Sequence, residues 1–128
     1  MSEGAVNVRY MVSDVQACVD WYVGHFGFGV QLNAAPAFAS VERGPLRLLL
    51  SGRGSSAGRP MPDGRQPEAG GWNRFQVIVE DIGAEVDRLR GHGVSFRNDI
   101  LTGPGGSQIL AEDPSGNVVE LFQPAARM

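Results

Sequence analysis

The chain has 128 residues, 42% hydrophobic and 20% charged, with a formal net charge of −3; that is the composition of one ordinary globular domain. It holds one Cys, two His and no Lys, so all 11 basic residues are Arg. This excludes Schiff-base chemistry, a Walker A loop, an internal disulfide, Cys-cluster zinc and three-His catalytic zinc. No apolar run approaches the roughly 20 residues of a membrane span, and no basic-then-apolar signal opens the chain. The mildly acidic balance speaks against nucleic acid as a partner, and the expected location is the cytoplasm.

In chain order, Val6 to Val12 is rich in β-branched and apolar residues and predicts a strand. Asp14 stands at an N-cap position. Val15, Cys18, Val19 and Tyr22 follow at helical spacing, and Gly27 marks the stop. Strands are then predicted at roughly 29–32, 37–42 and 46–50, the last two joined by Gly44-Pro45.

Residues 51–71 are dense in Gly, Pro, Ser and Arg and read as a linker or surface loop. Gly52-Arg53-Gly54-Ser55-Ser56-Ala57 has the form of a dinucleotide fingerprint. That motif needs a helix directly after it, and Gly58, Pro60 and Pro62 forbid one.

Beyond the loop the pattern starts again. A shift of 67 residues brings Val12-Ser13-Asp14-Val15 onto Val79-Glu80-Asp81-Ile82. It also superposes Ala17 on Ala84, Val19 on Val86, Asp20 on Asp87, Gly24 on Gly91 and His25 on His92. These identities at one offset predict two copies of one unit. The second copy has a strand at 75–79, a helix capped by Asp81 and ending near Gly93, and strands at roughly 94–97, 108–112 and 118–123. Asp113-Pro114-Ser115-Gly116-Asn117 makes the final turn. The expectation is an α+β chain of two βαβββ modules, at residues 5–50 and 72–124, in a single domain.

Two such modules, ending in Asp113-Pro114-Ser115-Gly116-Asn117-Val118-Val119-Glu120-Leu121-Phe122, resemble the vicinal oxygen chelate superfamily. This group includes glyoxalase I, the extradiol dioxygenases and the bleomycin-resistance proteins. Val12-x-Asp14, Trp21-Tyr22 and Phe26-Gly27-Phe28 are similar to its first-module pattern. The resemblance implies cup-shaped mixed sheets and, in metal-dependent members, ligands on the first and last strand of each module. Those positions fall here on Asn7, Leu48, Arg74 and Glu120. Leu48 offers no donor and Arg74 brings a fixed positive charge. The expectation is therefore a metal-free, glyoxalase-like branch with no cofactor. The two His, at the helix C-termini, read as partners of the helix dipole.

Strand alternation then assigns faces. Asn7, Arg9 and Met11 point into the first cup, and Arg74, Gln76 and Ile78 into the second. Leu46, Leu48 and Leu50 are expected on the cup side of the first module, and Val118, Glu120 and Phe122 on that of the second. Ligand-binding candidates are Asn7, Arg9, Phe38, Leu48, Trp72, Arg74, Gln76, Glu120 and Phe122, a few polar groups on an apolar wall. Arg74 and Glu120 also make an ion pair without any ligand.

Glu120 is the one candidate general acid or base. Cys18, on the apolar stripe, reads as core. The leading expectation is a protein that binds a partly aromatic or anionic small molecule in a cleft between modules, as a homodimer. The alternatives are a glyoxalase-like lyase or isomerase acting on a carbonyl compound, and a non-catalytic structural dimer.

Overall fold

A computed structural model describes residues 5–126. The chain divides into two compact units at Gly70/Gly71. The first holds β1 (Val6–Met11), α1 (Val15–Phe26), β2 (Gly29–Ala34), β3 (Phe38–Arg43) and β4 (Leu46–Ser51). These form a four-stranded mixed sheet of order β1-β4-β3-β2, with β1 parallel to β4.

The second unit holds β5 (Arg74–Ile78), α2 (Ile82–Gly91), β6 (Ser95–Phe96), β7 (Leu101–Gly103), β8 (Gly106–Glu112) and β9 (Val118–Pro124). Its sheet runs β5-β9-β8-β6, with β7 also on β8 and with β5 parallel to β9. The predicted α+β architecture of two βαβββ modules is the one observed. Among the described residues no helix is long and apolar enough to cross a membrane.

Both helices begin as the repeat predicts. Asp14 Oδ1 accepts from the Ala17 N–H, and Asp81 Oδ1 from the Ala84 N–H, each at 3.0 Å; each bond satisfies an amide that the helix itself leaves unpaired. Gly27, at φ 69, takes the left-handed conformation that ends α1. The helices bury their apolar stripes: Val15, Cys18, Val19, Tyr22 and Phe26 in α1, and Ile82, Val86 and Leu89 in α2. His25 lies in the last turn of α1, and His92 Nδ1 donates to the Arg88 carbonyl at 2.8 Å.

The second unit departs from the prediction at one strand. The predicted strand at 94–97 is interrupted and resumes as β7. The break has a local cause. Asn98 Oδ1 takes the Leu110 N–H at 3.0 Å, in place of a backbone partner, and the Arg97 N–H goes to the Leu110 carbonyl. This side-chain substitution in the ladder is a bulge-like device that re-aims the chain. The linking segment is ordered on the first unit. Ser51 belongs to β4, and Ser56–Gly58 make a single 3₁₀ turn. Ser55 Oγ donates to the Gly52 carbonyl and Gln66 Nε2 to the Gly58 carbonyl, both at 2.6 Å. No long helix follows the glycine-rich motif, in keeping with its rejection as a nucleotide site.

Candidate functional site

The polar residues of interest lie on the sheet face turned away from each helix, and the strand register shows which ones share it. In the second unit Gln76 stands opposite Glu120 and Ile78 opposite Phe122. Their neighbours Phe75, Val77, Val119 and Leu121 alternate to the α2 side, and Val77, Val119 and Leu121 are buried.

Glu120 is only 5% exposed. Its Oε1 accepts from Arg74 Nε at 2.9 Å, and its Oε2 from Gln76 Nε2 at 2.6 Å. Arg74 Nη1 also donates to the Trp72 carbonyl at 3.2 Å. Thus Trp72, Arg74, Gln76 and Glu120 form one connected network, with Phe122 next along the same face. A carboxylate at this depth is stable because both oxygens are engaged and one partner is a cation.

In the first unit Asn7, Arg9 and Phe38 also lie on the face away from the helix, but they form a separate set. Arg9 Nη1 donates to the buried Ser51 Oγ at 2.8 Å. Ser40, nearly fully buried, bonds the Gln31 side chain.

Leu48 is corrected. It pairs with Val8, Leu50 pairs with Tyr10, and both leucines are wholly buried on the α1 side. Leu46, expected on the cup side with them, pairs with Val6 and shares their parity along β4. The residue opposite Arg9 is Leu49, just as Glu120 is the residue opposite Gln76. Gly44 stands three residues before Arg47, the partner of Asn7, whereas Gly116 stands two before Val118, the partner of Arg74. The extra residue after Gly44 shifts the face by one.

Reading along the strands also missed Arg97. Its Nε donates to Glu112 Oε2 at 2.9 Å, its Nη1 to the Gly71 carbonyl at 2.7 Å and its Nη2 to the Gly116 carbonyl at 2.9 Å. Arg97 lies at the break after β6, where alternation no longer assigns a face.

The side chains around Glu120 in the second unit do not make a donor set suited to a divalent cation. Within the second unit the one carboxylate in place is already held by a guanidinium and an amide. A cation needs several free oxygen or nitrogen donors. Among the described residues there is no group of three or more His, Cys, Asp or Glu side chains that could hold a metal ion. Two surface depressions lie away from Glu120. One, of about 290 Å³, is lined by Met11, Ser13, Arg53, Pro67 and Glu68, among others; the other, of about 350 Å³, includes Arg90, Phe96 and Asp99.

The model of the Glyoxalase/Bleomycin resistance protein/Dioxygenase superfamily matches residues 4–121. The chain belongs to this superfamily. No curated protein is detectably similar to it in sequence. Among solved structures it is similar to lactoylglutathione lyase from Agrobacterium tumefaciens, at 20% identity over 96% of both chains and a TM-score of 0.73. It is also similar to TnmS3, an antibiotic binding protein from Streptomyces sp. CB03234, at 25% identity over 98% of both chains and a TM-score of 0.69. A superfamily member from Sphaerobacter thermophilus DSM 20745 is 25% identical over 96% of this chain and 98% of its own, with a TM-score of 0.72.

Proposed function

We propose that this protein binds a small, partly aromatic or anionic molecule at the Trp72–Arg74–Gln76–Glu120 cluster, without the superfamily's metal. The observation that carries this reading is the engagement of both Glu120 oxygens by Arg74 and Gln76. A carboxylate paired with a guanidinium in this way is already charge-compensated, and the fixed positive charge of Arg74 beside it disfavours a cation; Glu120 then fixes the orientation of its partners, and those partners meet the ligand. Binding energy then comes from apolar and aromatic contact, and the guanidinium sets direction. The similarity to an antibiotic binding protein across the whole chain supports a binding role.

The competing reading, Glu120 as the general acid or base of a lyase or isomerase, is less well supported. Such a group has to reach the substrate proton directly or through one water, and here Glu120 is 5% exposed with each oxygen already accepting a hydrogen bond from Arg74 or Gln76. The homodimer and the cytoplasmic location belong to the same proposal.

A thermal-shift screen against metabolites and antibiotics tests the binding role, since a ligand that binds only the folded state raises the melting temperature. Metal analysis of the purified protein tests the rest: stoichiometric Ni, Zn, Mn or Fe overturns the metal-free reading. Glu120→Gln separates binding from catalysis, because turnover lost with affinity kept would favour the enzyme. Sedimentation checks the dimer.

A further inference from the structure

Trp72 is 67% exposed, an unusual degree for an indole. It is nonetheless held in place. The Arg97 guanidinium lies over its ring, 4.5 Å from the ring centroid, well inside cation–π range. Arg97 in turn is fixed in its own plane, with each of its three nitrogens donating to a different partner: Glu112, Gly71 and Gly116. Gly70 and Gly71, which lead into Trp72, both have positive φ, at 109° and 85°, a conformation that favours glycine. Arg74 Nη1 donates to the Trp72 carbonyl at 3.2 Å. One face of the indole therefore rests on a clamped guanidinium, and the other faces solvent.

We infer that Arg97 is a positioning residue that holds Trp72 as a stacking platform for a planar aromatic acid. The inference rests on the binding role proposed above and names its ligand class. A preset aromatic surface costs a ligand little ordering entropy, which is how rigid aromatic anchors raise affinity. Two residues further along the chain stands Arg74, which holds the Trp72 backbone carbonyl. Its Nε and Nη1 are engaged, while its Nη2 has no partner among the described residues. A ring stacked on Trp72 would place an edge carboxylate within the reach of that nitrogen. Arg74 is already paired with Glu120, and Arg97 with Glu112. This charge balance selects for a single directed hydrogen bond rather than for a polyanion.

The test uses the full chain carrying Trp21→Phe, which leaves Trp72 as its only tryptophan. By calorimetry, 2-naphthoate should bind at least tenfold more tightly than cyclohexanecarboxylate or 2-naphthamide. Trp72→Leu, which leaves the three Arg97 bonds in place, should weaken 2-naphthoate about tenfold. Arg97→Gln should weaken it by a similar factor and, without ligand, lower the fluorescence anisotropy of Trp72. The double variant should lose no more than either single one.

Unchanged anisotropy in Arg97→Gln, or losses that multiply in the double variant, would overturn the positioning role. If Arg97→Gln does not fold, the Trp72→Leu comparison decides: an unchanged affinity overturns the platform. Failure of 2-naphthoate to bind the parent, while other compounds raise its melting temperature, overturns the aromatic-acid assignment alone. Absence of any ligand-induced shift overturns the underlying binding role as well.

Discussion

Arg74→Met removes the cation from a carboxylate that is 5% exposed. Breaking a fully buried ion pair by deleting one partner costs roughly 3–5 kcal/mol, because the remaining charge is left desolvated. Two features of this site lower that figure. The Arg74 side chain is 30% exposed, so solvent already screens the pair. Glu120 also keeps its 2.6 Å bond from Gln76. The expected loss is about 2 kcal/mol, which moves the urea midpoint down by about 1 M for a slope near 2 kcal/mol/M. Adding Glu120→Leu removes the stranded charge, so the double variant should recover most of the loss. Urea unfolding of the wild type, both single variants and the double variant closes the cycle. A coupling energy below about 0.5 kcal/mol would show that the contact does not anchor the site, and the reasoning that makes Glu120 a fixed strut would fail.

Three other outcomes follow from the packing. Leu48→Ala should cost about 3 kcal/mol because Leu48 is wholly buried, whereas Leu49→Ala should cost about 1 kcal/mol or less; equal losses on denaturation would refute the register correction. Asp81→Ala should lose about 1 kcal/mol through the cap bond to Ala84, and Asp14→Ala a similar amount, as read from melting curves. Gly106→Ala should destabilise by more than 2 kcal/mol, since an added Cβ at φ 145 would lie 2.1 Å from the Gln123 carbonyl; chemical denaturation checks it.

Most of the architecture was legible because its signals are local and occur twice. The Asp14 and Asp81 caps, the apolar stripes behind them and the glycine stops each follow from short-range physics, and the offset of 67 residues ties them together. The second-unit face was also legible, because strands β5 and β9 alternate without interruption, so Arg74, Gln76 and Glu120 fall on one side. The first-unit face was misread at Leu48 because a turn one residue longer reverses every side chain beyond it. No composition signal marks that extra residue, since five of the six residues in Leu46–Ser51 are apolar or small. Arg97 was hidden for another reason. Its position depends on the Asn98 side chain bonding the Leu110 amide, a contact between segments that neither periodicity nor propensity encodes.

The duplication also shows which positions were free to diverge. Apolar residues of the helices and of the strand ends leading into them keep their character under the 67-residue shift: Val12 and Val79, Val15 and Ile82, Val19 and Val86, Tyr22 and Leu89. Residues on the sheet faces turned away from the helices do not. Asn7 corresponds to Arg74, Arg9 to Gln76 and, by register, Leu49 to Glu120. In the first unit an arginine thus stands opposite a leucine and turns to Ser51 for its hydrogen bond. In the second an amide and a guanidinium converge on a buried carboxylate. A buried charge is expensive unless it is fully partnered, so the three second-unit residues constrain one another in a way that their first-unit counterparts do not. Changing Glu120 alone releases Arg74 and Gln76 from their shared anchor, and changing either of them loosens Glu120. That interdependence is the physical reason to place the polar recognition chemistry of this protein in its second unit.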